Sequence, residues 1–176
     1  MNLSGLLPLI EGMPGYQSLI NELQAAKGEK KVAVLDAAKP YLLACLYHHL
    51  DSPMLVITAR PERARQLYDD ITVWCASDAI VHLFPEPDAL PYERISSDPY
   101  TVKQRLRVLS SLTDTGKSHL VIASAHAAVR KPMPAAVFAS SCHILRKGMK
   151  PDLEQTLHKW IRLGYEMDTK VELPGT

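Results

Sequence analysis

Lys39 has the sequence position most suggestive of chemistry, because it follows an apolar run and stands at the start of a predicted helix. In α/β proteins this is where a phosphate-binding loop lies. Such a loop needs the pattern G-x-x-x-x-G-K-[ST], since bare backbone N–H groups must close on phosphate oxygens. The segment here reads LDAAKPYL, and no glycine occurs from Glu29 to Thr115. The sequence therefore excludes a glycine-lined phosphate loop in this region and favours a surface position for Lys39.

A second phosphate-loop fragment, DTGKS, ends at Ser118. The partner of Gly116 in a true motif would stand at position 111, which is Ser111. The fragment also closes a predicted helix and precedes a strand, which is the reverse of the required order. Gly116 is therefore interpreted as a glycine that ends a helix.

Cys45, His48 and His49 lie three and four residues apart on a predicted helix, which could place two metal ligands side by side. No second ligand pair with a recognisable spacing occurs elsewhere in the sequence. A partly buried cysteine with surface histidines is the better interpretation.

Two acidic pairs, Asp69 with Asp70 and Glu86 with Asp88, could serve acid–base chemistry. Solvated helix and loop positions explain them without a special environment. No Ser-His-Asp or Cys-His arrangement carries a local signature either. We therefore expect no catalytic, cofactor-binding or metal site in this chain.

Composition is consistent with a folded intracellular protein. Of the 176 residues 47% are hydrophobic, and 20 basic side chains balance 19 acidic ones, which disfavours disorder and polyanion wrapping. Three widely spaced cysteines predict no disulfide framework and a reducing compartment. The first residues, MNLSGLLPLIEGMPG, resemble neither a signal peptide nor a membrane span. We expect a cytoplasmic protein without membrane association.

Four short apolar runs alternate with helical patterns between residues 1 and 131. The runs are KKVAVLD, PMLVITA, DAIVHLF and SHLVIAS. Strands that are apolar throughout and alternate with helices predict a parallel sheet with helices on both faces, an α/β fold. In the helix that begins near Tyr100, the apolar residues Val102, Leu106 and Leu109 lie on one stripe, with Gly116 past the end of the helix.

From Pro132 onward the pattern changes. Pro132 and Pro134 predict a linker, CHILRKG a strand, KPDLEQTLHKWIRLG a helix and YEMDTKVELPG a strand. About 45 residues are marginal for an independent core. We therefore expect residues 132–176 to be the incomplete first part of a small α+β domain in a longer chain.

The segment FPEPDALPYERISSDP connects the third predicted strand to the next helix. Its prolines fix φ and restrict the preceding residues, so the loop loses little entropy on folding. Leu90 and Tyr92 are expected to pack it against the sheet edge.

This loop resembles the N-terminal, UvrB-like region of bacterial transcription-repair coupling factors (Mfd). The residues that carry the resemblance are Phe84, Pro85, Leu90, Pro91, Tyr92 and Glu93. The segment LVITARPERARQLYDDI and the block Gly164-Tyr165-Glu166 are also similar to that family, and RQLYDDI to the excision-repair subunit UvrB. The resemblance covers nearly the whole chain from about Ser18.

The resemblance implies a UvrB-like domain 1a over residues 1–131, a degenerate helicase-like layer that has lost its P-loop. Residues 132–176 would begin a second domain of the kind that docks UvrA, with Gly164, Tyr165, Glu166 and Met167 as candidate contacts. The sequence departs from UvrB at Met167, where UvrB has arginine. The module would recruit UvrA to stalled RNA polymerase without catalysis, while ATP, Mg²⁺, DNA and RNA polymerase would be bound by other modules of the full-length family.

Two other functions stay open at this level. The chain could be the nucleotide-binding lobe of a helicase or translocase that needs a partner lobe. It could also be a small-molecule enzyme on a flavodoxin-like sheet, although no convergent polar cluster is evident in the sequence.

Overall fold

A computed structural model describes residues 2–25, 28–87, 98–113, 116–142, 145 and 147–167. The chain divides into two compact units, Met1–Lys131 and Pro132–Thr176, each of which is described by itself. Across the described ranges, none of the helices has the length and apolar character that a membrane span requires.

The first unit alternates helices and strands. A 3₁₀ helix, Ser4–Gly12, precedes helix α1, and a second one, Asp36–Ala38, leads into α2. The α-helices are α1 (Pro14–Gln24), α2 (Lys39–Leu50), α3 (Pro61–Trp74), α4 (Pro99–Ser111) and α5 (Ala125–Val129). The strands are β1 (Met54–Thr58), β2 (Val81–Phe84) and β3 (Leu120–Ser124).

The three strands form a parallel sheet in the order β1-β3-β2. Leu120 lies opposite Met54 of β1 and Val81 of β2. The connection from β1 to β2 through α3 and the connection from β2 back to β3 through α4 cross the sheet in opposite directions. Because both crossovers are right-handed, α3 and α4 lie on opposite faces of the sheet. The predicted α/β class, a parallel sheet flanked by helices, is confirmed.

One face of the sheet carries the main core. Leu120 and Ile122 of β3 are fully buried and pack with Ile71 and Ala64 of α3 and with Cys45 of α2. Apolar side chains at alternate positions of a strand point to one face, so β3 supplies two core residues from a five-residue strand. This face buries α2 and α3.

The opposite face is more polar. Nε2 of His82 lies 2.9 Å from Oγ of Ser111, and the same oxygen lies 3.2 Å from Nδ1 of His119. The two imidazoles stack with centroids 5.6 Å apart. Val108 is the buried apolar residue of α4 on this side. Hydrogen bonds to imidazole thus take the place of much of the apolar packing under α4.

Helix starts in this unit follow local rules that the sequence shows. Pro40 and Pro61 lie in the first turns of α2 and α3, where the missing N–H costs nothing. The Ser124 hydroxyl accepts a hydrogen bond from the N–H of Ala127 at 3.0 Å and caps α5.

The predicted strand KKVAVLD is absent. Residues 29–35 lie outside helices and strands, and Val32 and Leu35 are 53% and 81% exposed. In the described sheet the run joins neither outer edge, that of β1 or that of β2. The described sheet of the first unit therefore has three strands rather than four.

The predicted helix is α4, but its apolar stripe does not face the sheet. Val102 and Leu106 are exposed, while Thr101, Gln104, Arg105 and Val108 form the inner side. The hydrogen bonds of Arg105 to Pro85 and of Ser111 to His82 hold the helix in this orientation, so burial of the apolar stripe is not what determines it.

In the second unit, residues 132–134 lie outside helices and strands, and a helix follows them. Helix α6 (Ala135–Ser141) begins directly after Pro134, and Phe138 is buried. Helix α7 (Leu153–Arg162) is confirmed, with the Asp152 carboxylate accepting from the N–H of Gln155 at 3.1 Å. Of the predicted strand 142–148, the described residues are not in a strand, and most of the last predicted strand lies outside the described residues.

Candidate functional site

Lys39 lies in a hollow beside the carboxyl end of β1. The hollow has a volume of about 560 Å³ and is lined by residues of the second 3₁₀ helix, α2, β1 and α3. Nζ of Lys39 lies 2.5 Å from one carboxylate oxygen of Asp36, and Nη2 of Arg63 lies 3.5 Å from the other. The carboxylate of Asp36 therefore forms ion pairs with both Lys39 and Arg63.

The charge of Asp36 fits these contacts. The hydrogen bond from Lys39 is the main cause that lowers the pKa of Asp36, and the charges of Lys39 and Arg63 add to it. At neutral pH the carboxylate is ionised, so an incoming anion would meet its negative charge. The turn carries side chains at Asp36, Ala37 and Ala38, where a phosphate cradle needs bare backbone.

A second hollow, of about 640 Å³, lies at the carboxyl ends of β2 and β3. Here the Ser124 hydroxyl donates a hydrogen bond to the carboxylate of Glu86, and Nδ1 of His126 lies 3.2 Å from its other oxygen. Ser124 is 1% exposed. The carboxylate thus joins the segment after β2 to the β3–α5 turn.

Glu86 is a residue whose environment the sequence interpretation missed, since it was assigned to solvent. The pKa of Glu86 is lowered mainly by the hydrogen bond from Ser124. The hydrogen bond and charge of His126 and the charge of Arg130 lower it further. The signal was present, because Glu86 and Ser124 both stand at the ends of neighbouring parallel strands. Both Ser124 and His126 contact Glu86, each through a different carboxylate oxygen.

Two of the six marker residues of the proline loop are described. Phe84 ends β2, with the Arg105 guanidinium 4.0 Å from its ring centroid, and the carbonyl oxygen of Pro85 accepts from Nη1 of Arg105 at 2.5 Å. The remaining four lie outside the described residues: Leu90, Pro91, Tyr92 and Glu93. The beginning of the loop is therefore fixed to α4 and to α5.

Gly164, Tyr165, Glu166 and Met167 follow α7 in the second unit. Gly164 has φ +92° and ends the helix, while the N–H of Tyr165 donates to the carbonyl of Trp160 at 3.1 Å. The Tyr165 ring lies 6.3 Å from that of Trp160. All four residues are exposed, Met167 to 76%. They form a surface that a partner could reach.

The Cys45, His48 and His49 positions do not converge. Cys45 is fully buried, and burial raises the pKa of its thiol to about 11. Nδ1 of His49 lies 2.7 Å from the Tyr16 hydroxyl, and Nε2 lies 3.2 Å from Glu11. Over the described parts of the chain, no group of three or more metal-ligating side chains comes together.

These elements define the class of the first unit: a parallel α/β layer with polar side chains at the carboxyl ends of its strands. No protein-family profile matches the chain. It is 28% identical over 161 residues to the transcription-repair-coupling factor of Bacillus subtilis (strain 168), and 25% identical over 166 residues to that of Myxococcus xanthus.

These two alignments cover 91% and 92% of the chain, and the chain spans 14% of the length of each relative. The transcription-repair-coupling factor of Staphylococcus aureus (strain USA300) is 24% identical over 139 residues, which is 79% of the chain and 12% of that protein. The chain is homologous to a segment of transcription-repair coupling factors, and the family resemblance read from the sequence is confirmed.

Proposed function

We propose that this chain is a non-catalytic module of a transcription-repair coupling factor that works in the cytoplasm in transcription-coupled nucleotide excision repair. It imitates UvrB and recruits UvrA to stalled RNA polymerase. Residues 1–131 form a UvrB-like domain and residues 132–176 the start of the UvrA-docking domain. Contacts with RNA polymerase and DNA, and the binding of ATP and Mg²⁺, belong to other modules of the full-length family.

One observation carries the non-catalytic part of the proposal. In the turn where a motor domain would bind phosphate, Asp36 contributes a carboxylate that pairs with Lys39 and Arg63. A triphosphate would have to displace this carboxylate and would gain no glycine-lined backbone in return. The fold of a nucleotide-binding layer is thus retained without its phosphate site.

Titration calorimetry of the chain with ATP and Mg²⁺ tests this point. We expect no saturable heat. One-to-one binding with a micromolar dissociation constant would overturn the non-catalytic assignment, whatever the outcome with UvrA.

The recruitment part rests on the exposed Gly164–Met167 segment and on the homology. At Met167, UvrB has arginine, so Met167→Arg should strengthen capture of purified UvrA by the immobilised chain. Met149→Arg is the matched control, since Met149 is an exposed methionine of the same unit and the substitution adds the same charge. Equal effects of the two substitutions, or no effect of Met167→Arg, would count against this segment as the contact.

A nucleotide-binding lobe that needs a partner lobe is the second candidate. It is favoured by Lys39 and Arg63, two cations that lie together at the end of β1. In the full-length protein, Lys39→Ala should abolish ATPase activity if this lobe binds the nucleotide, and leave it unchanged if our first proposal holds. Lys31→Ala, in the preceding segment, is the control.

A further inference from the structure

Helix α4 has an unusual orientation, because its inner side is mostly polar and its outer side carries apolar residues. The buried and half-buried positions of the helix are Thr101, Gln104, Arg105, Val108, Leu109 and Ser111, and only Val108 and Leu109 of these are apolar. An amphipathic helix of a complete globular domain shows the opposite arrangement.

The inner side is well anchored. Arg105 donates to the carbonyl of Pro85 and covers the Phe84 ring, and Ser111 lies within hydrogen-bond distance of His82 and His119. The N-terminus is capped by Asp98, whose carboxylate accepts from the N–H of Thr101 at 3.0 Å. These contacts fix the rotation of α4, so its outer side is a defined surface.

The outer side combines an apolar stripe with a basic edge. Val102 and Leu106 are 39% and 49% exposed, and the half-buried Leu109 continues the stripe at helical spacing. Lys103 and Arg107 stand four residues apart beside it and are exposed.

The basic edge has no counter-charge on the helix, since Pro99–Ser111 contains no acidic residue. Within the described part of the chain, neither Lys103 nor Arg107 takes part in a hydrogen bond or an ion pair. The outer side of α4 therefore carries exposed apolar side chains next to two cations. A partner that complements it would be apolar and acidic.

We propose that the outer side of α4, formed by Val102, Leu106 and Leu109 with Lys103 and Arg107, docks an acidic amphipathic helix of another protein. The partner's apolar residues, spaced i, i+4 and i+7, cover the stripe, while Asp or Glu residues four apart pair with the two cations. This surface includes none of the residues Gly164–Met167, so the proposal does not depend on the proposed contact with UvrA.

The chemistry favours a protein helix over a nucleic acid. A phosphate backbone would use Lys103 and Arg107 but would leave the apolar stripe uncovered. Burial of Val102 and Leu106 instead supplies binding free energy that is independent of charge.

The test uses the 176-residue chain and a synthetic helical peptide of about 18 residues. The peptide carries leucines at i, i+4 and i+7 and two glutamates four residues apart along one edge of that stripe. Fluorescence anisotropy measures its binding, and far-UV circular dichroism checks the fold of every variant.

We expect saturable binding that Leu106→Ser weakens about tenfold or more, as the loss of one buried leucine implies. Lys103→Glu combined with Arg107→Glu should weaken it by a similar factor. Lys147→Glu combined with Lys150→Glu makes the same charge change on exposed residues of the second unit and should leave binding within about twofold, because these residues are not part of the proposed surface.

Three results would overturn the proposal. The first is a lack of saturable binding to the unaltered chain. The second is equal binding by a peptide in which serine replaces the leucines, since the stripe would then contribute nothing. The third is tighter binding of a DNA duplex that the Lys103/Arg107 double variant abolishes, since the surface would then serve phosphate.

Discussion

Arg105 of α4 covers the ring of Phe84, the last residue of β2, with 4.0 Å between the guanidinium carbon and the ring centroid. The same guanidinium donates a hydrogen bond to the carbonyl oxygen of Pro85 at 2.5 Å. A planar cation can stack on an aromatic face and donate from its edge at the same time, which an ammonium group cannot do. One side chain therefore holds both the helix and the beginning of the proline loop.

We expect Arg105→Ala to lower the free energy of unfolding by about 1–3 kcal/mol, because it removes a partly buried charged hydrogen bond and a cation–π contact. Arg105→Lys should recover only part of this loss. Arg107→Ala, two residues away and exposed, should change it by less than about 0.5 kcal/mol. Urea denaturation measures all three, and a similar loss for Arg105→Ala and Arg107→Ala would contradict this role.

Ser124→Ala should destabilise the first unit by about 1–2 kcal/mol, since it removes the cap of α5 and the hydroxyl that donates to Glu86. Because the pKa of Glu86 lies below its ordinary value of 4.5, its contribution is present above about pH 4.5 and is lost as the pH falls through the lower, folded value. In Ser124→Ala the folded pKa of Glu86 moves back toward its ordinary value, so this acid-dependent loss of stability should be smaller. Ser110→Ala on exposed α4 is the control, and unchanged acid denaturation would refute the expected coupling.

His82 should make the protein less stable in weak acid. Burial, with the neighbouring His119 second, lowers the pKa of His82 below its ordinary value of 6.5. The unfolded chain therefore binds more protons near and below pH 6.5, so the free energy of unfolding decreases as the pH falls. His82→Gln should flatten this decrease by at most about 1.4 kcal/mol per pH unit, the limit for one proton. His48→Gln, at an exposed position, is the control, and urea denaturation between about pH 5 and 7.5 compares the two variants with the unaltered chain.

Gly164 and Gly15 should respond in opposite ways to alanine. A Cβ at either position would meet no atom within 4 Å, but Gly164 has φ +92° and Gly15 lies in the first turn of α1. Gly164→Ala should cost about 1 kcal/mol locally because of its left-handed backbone, and Gly15→Ala should stabilise by up to about 1 kcal/mol. Hydrogen exchange of the last-turn amides of α7 and thermal unfolding measure the two effects. Stabilisation by Gly164→Ala would show that its backbone conformation is not required.

The sequence predicted elements well where a local rule applies. Pro40, Pro61 and Ser124 mark helix starts because their effects involve only neighbouring backbone groups. The run KKVAVLD was misread because a strand depends on a distant edge that composition does not reveal. The orientation of the α4 stripe could not be predicted for a related reason, since apolar periodicity alone does not determine which side of a helix the sheet contacts.

In the candidate site, too, local features could be predicted from the sequence and contacts between distant residues could not. Absence of a glycine loop at Lys39 could be read directly from residue types. The Asp36 contact with Arg63 and the Glu86 contact with Ser124 join residues 27 and 38 positions apart, so they follow from the packing of α3 and of β3. Their partners could have been proposed only after the strands were placed side by side.

The strand order β1-β3-β2 has a consequence for synthesis on the ribosome. In the described sheet, β3 is the last strand in the chain and the one that bonds to both others. While the nascent chain ends before Leu120, β1 and β2 have no ladder to join, and their apolar side chains stay open to chaperones and to misassociation. When the five residues of β3 have been synthesised, both β1 and β2 can pair with β3. The first unit can therefore fold cooperatively only after translation has passed this point.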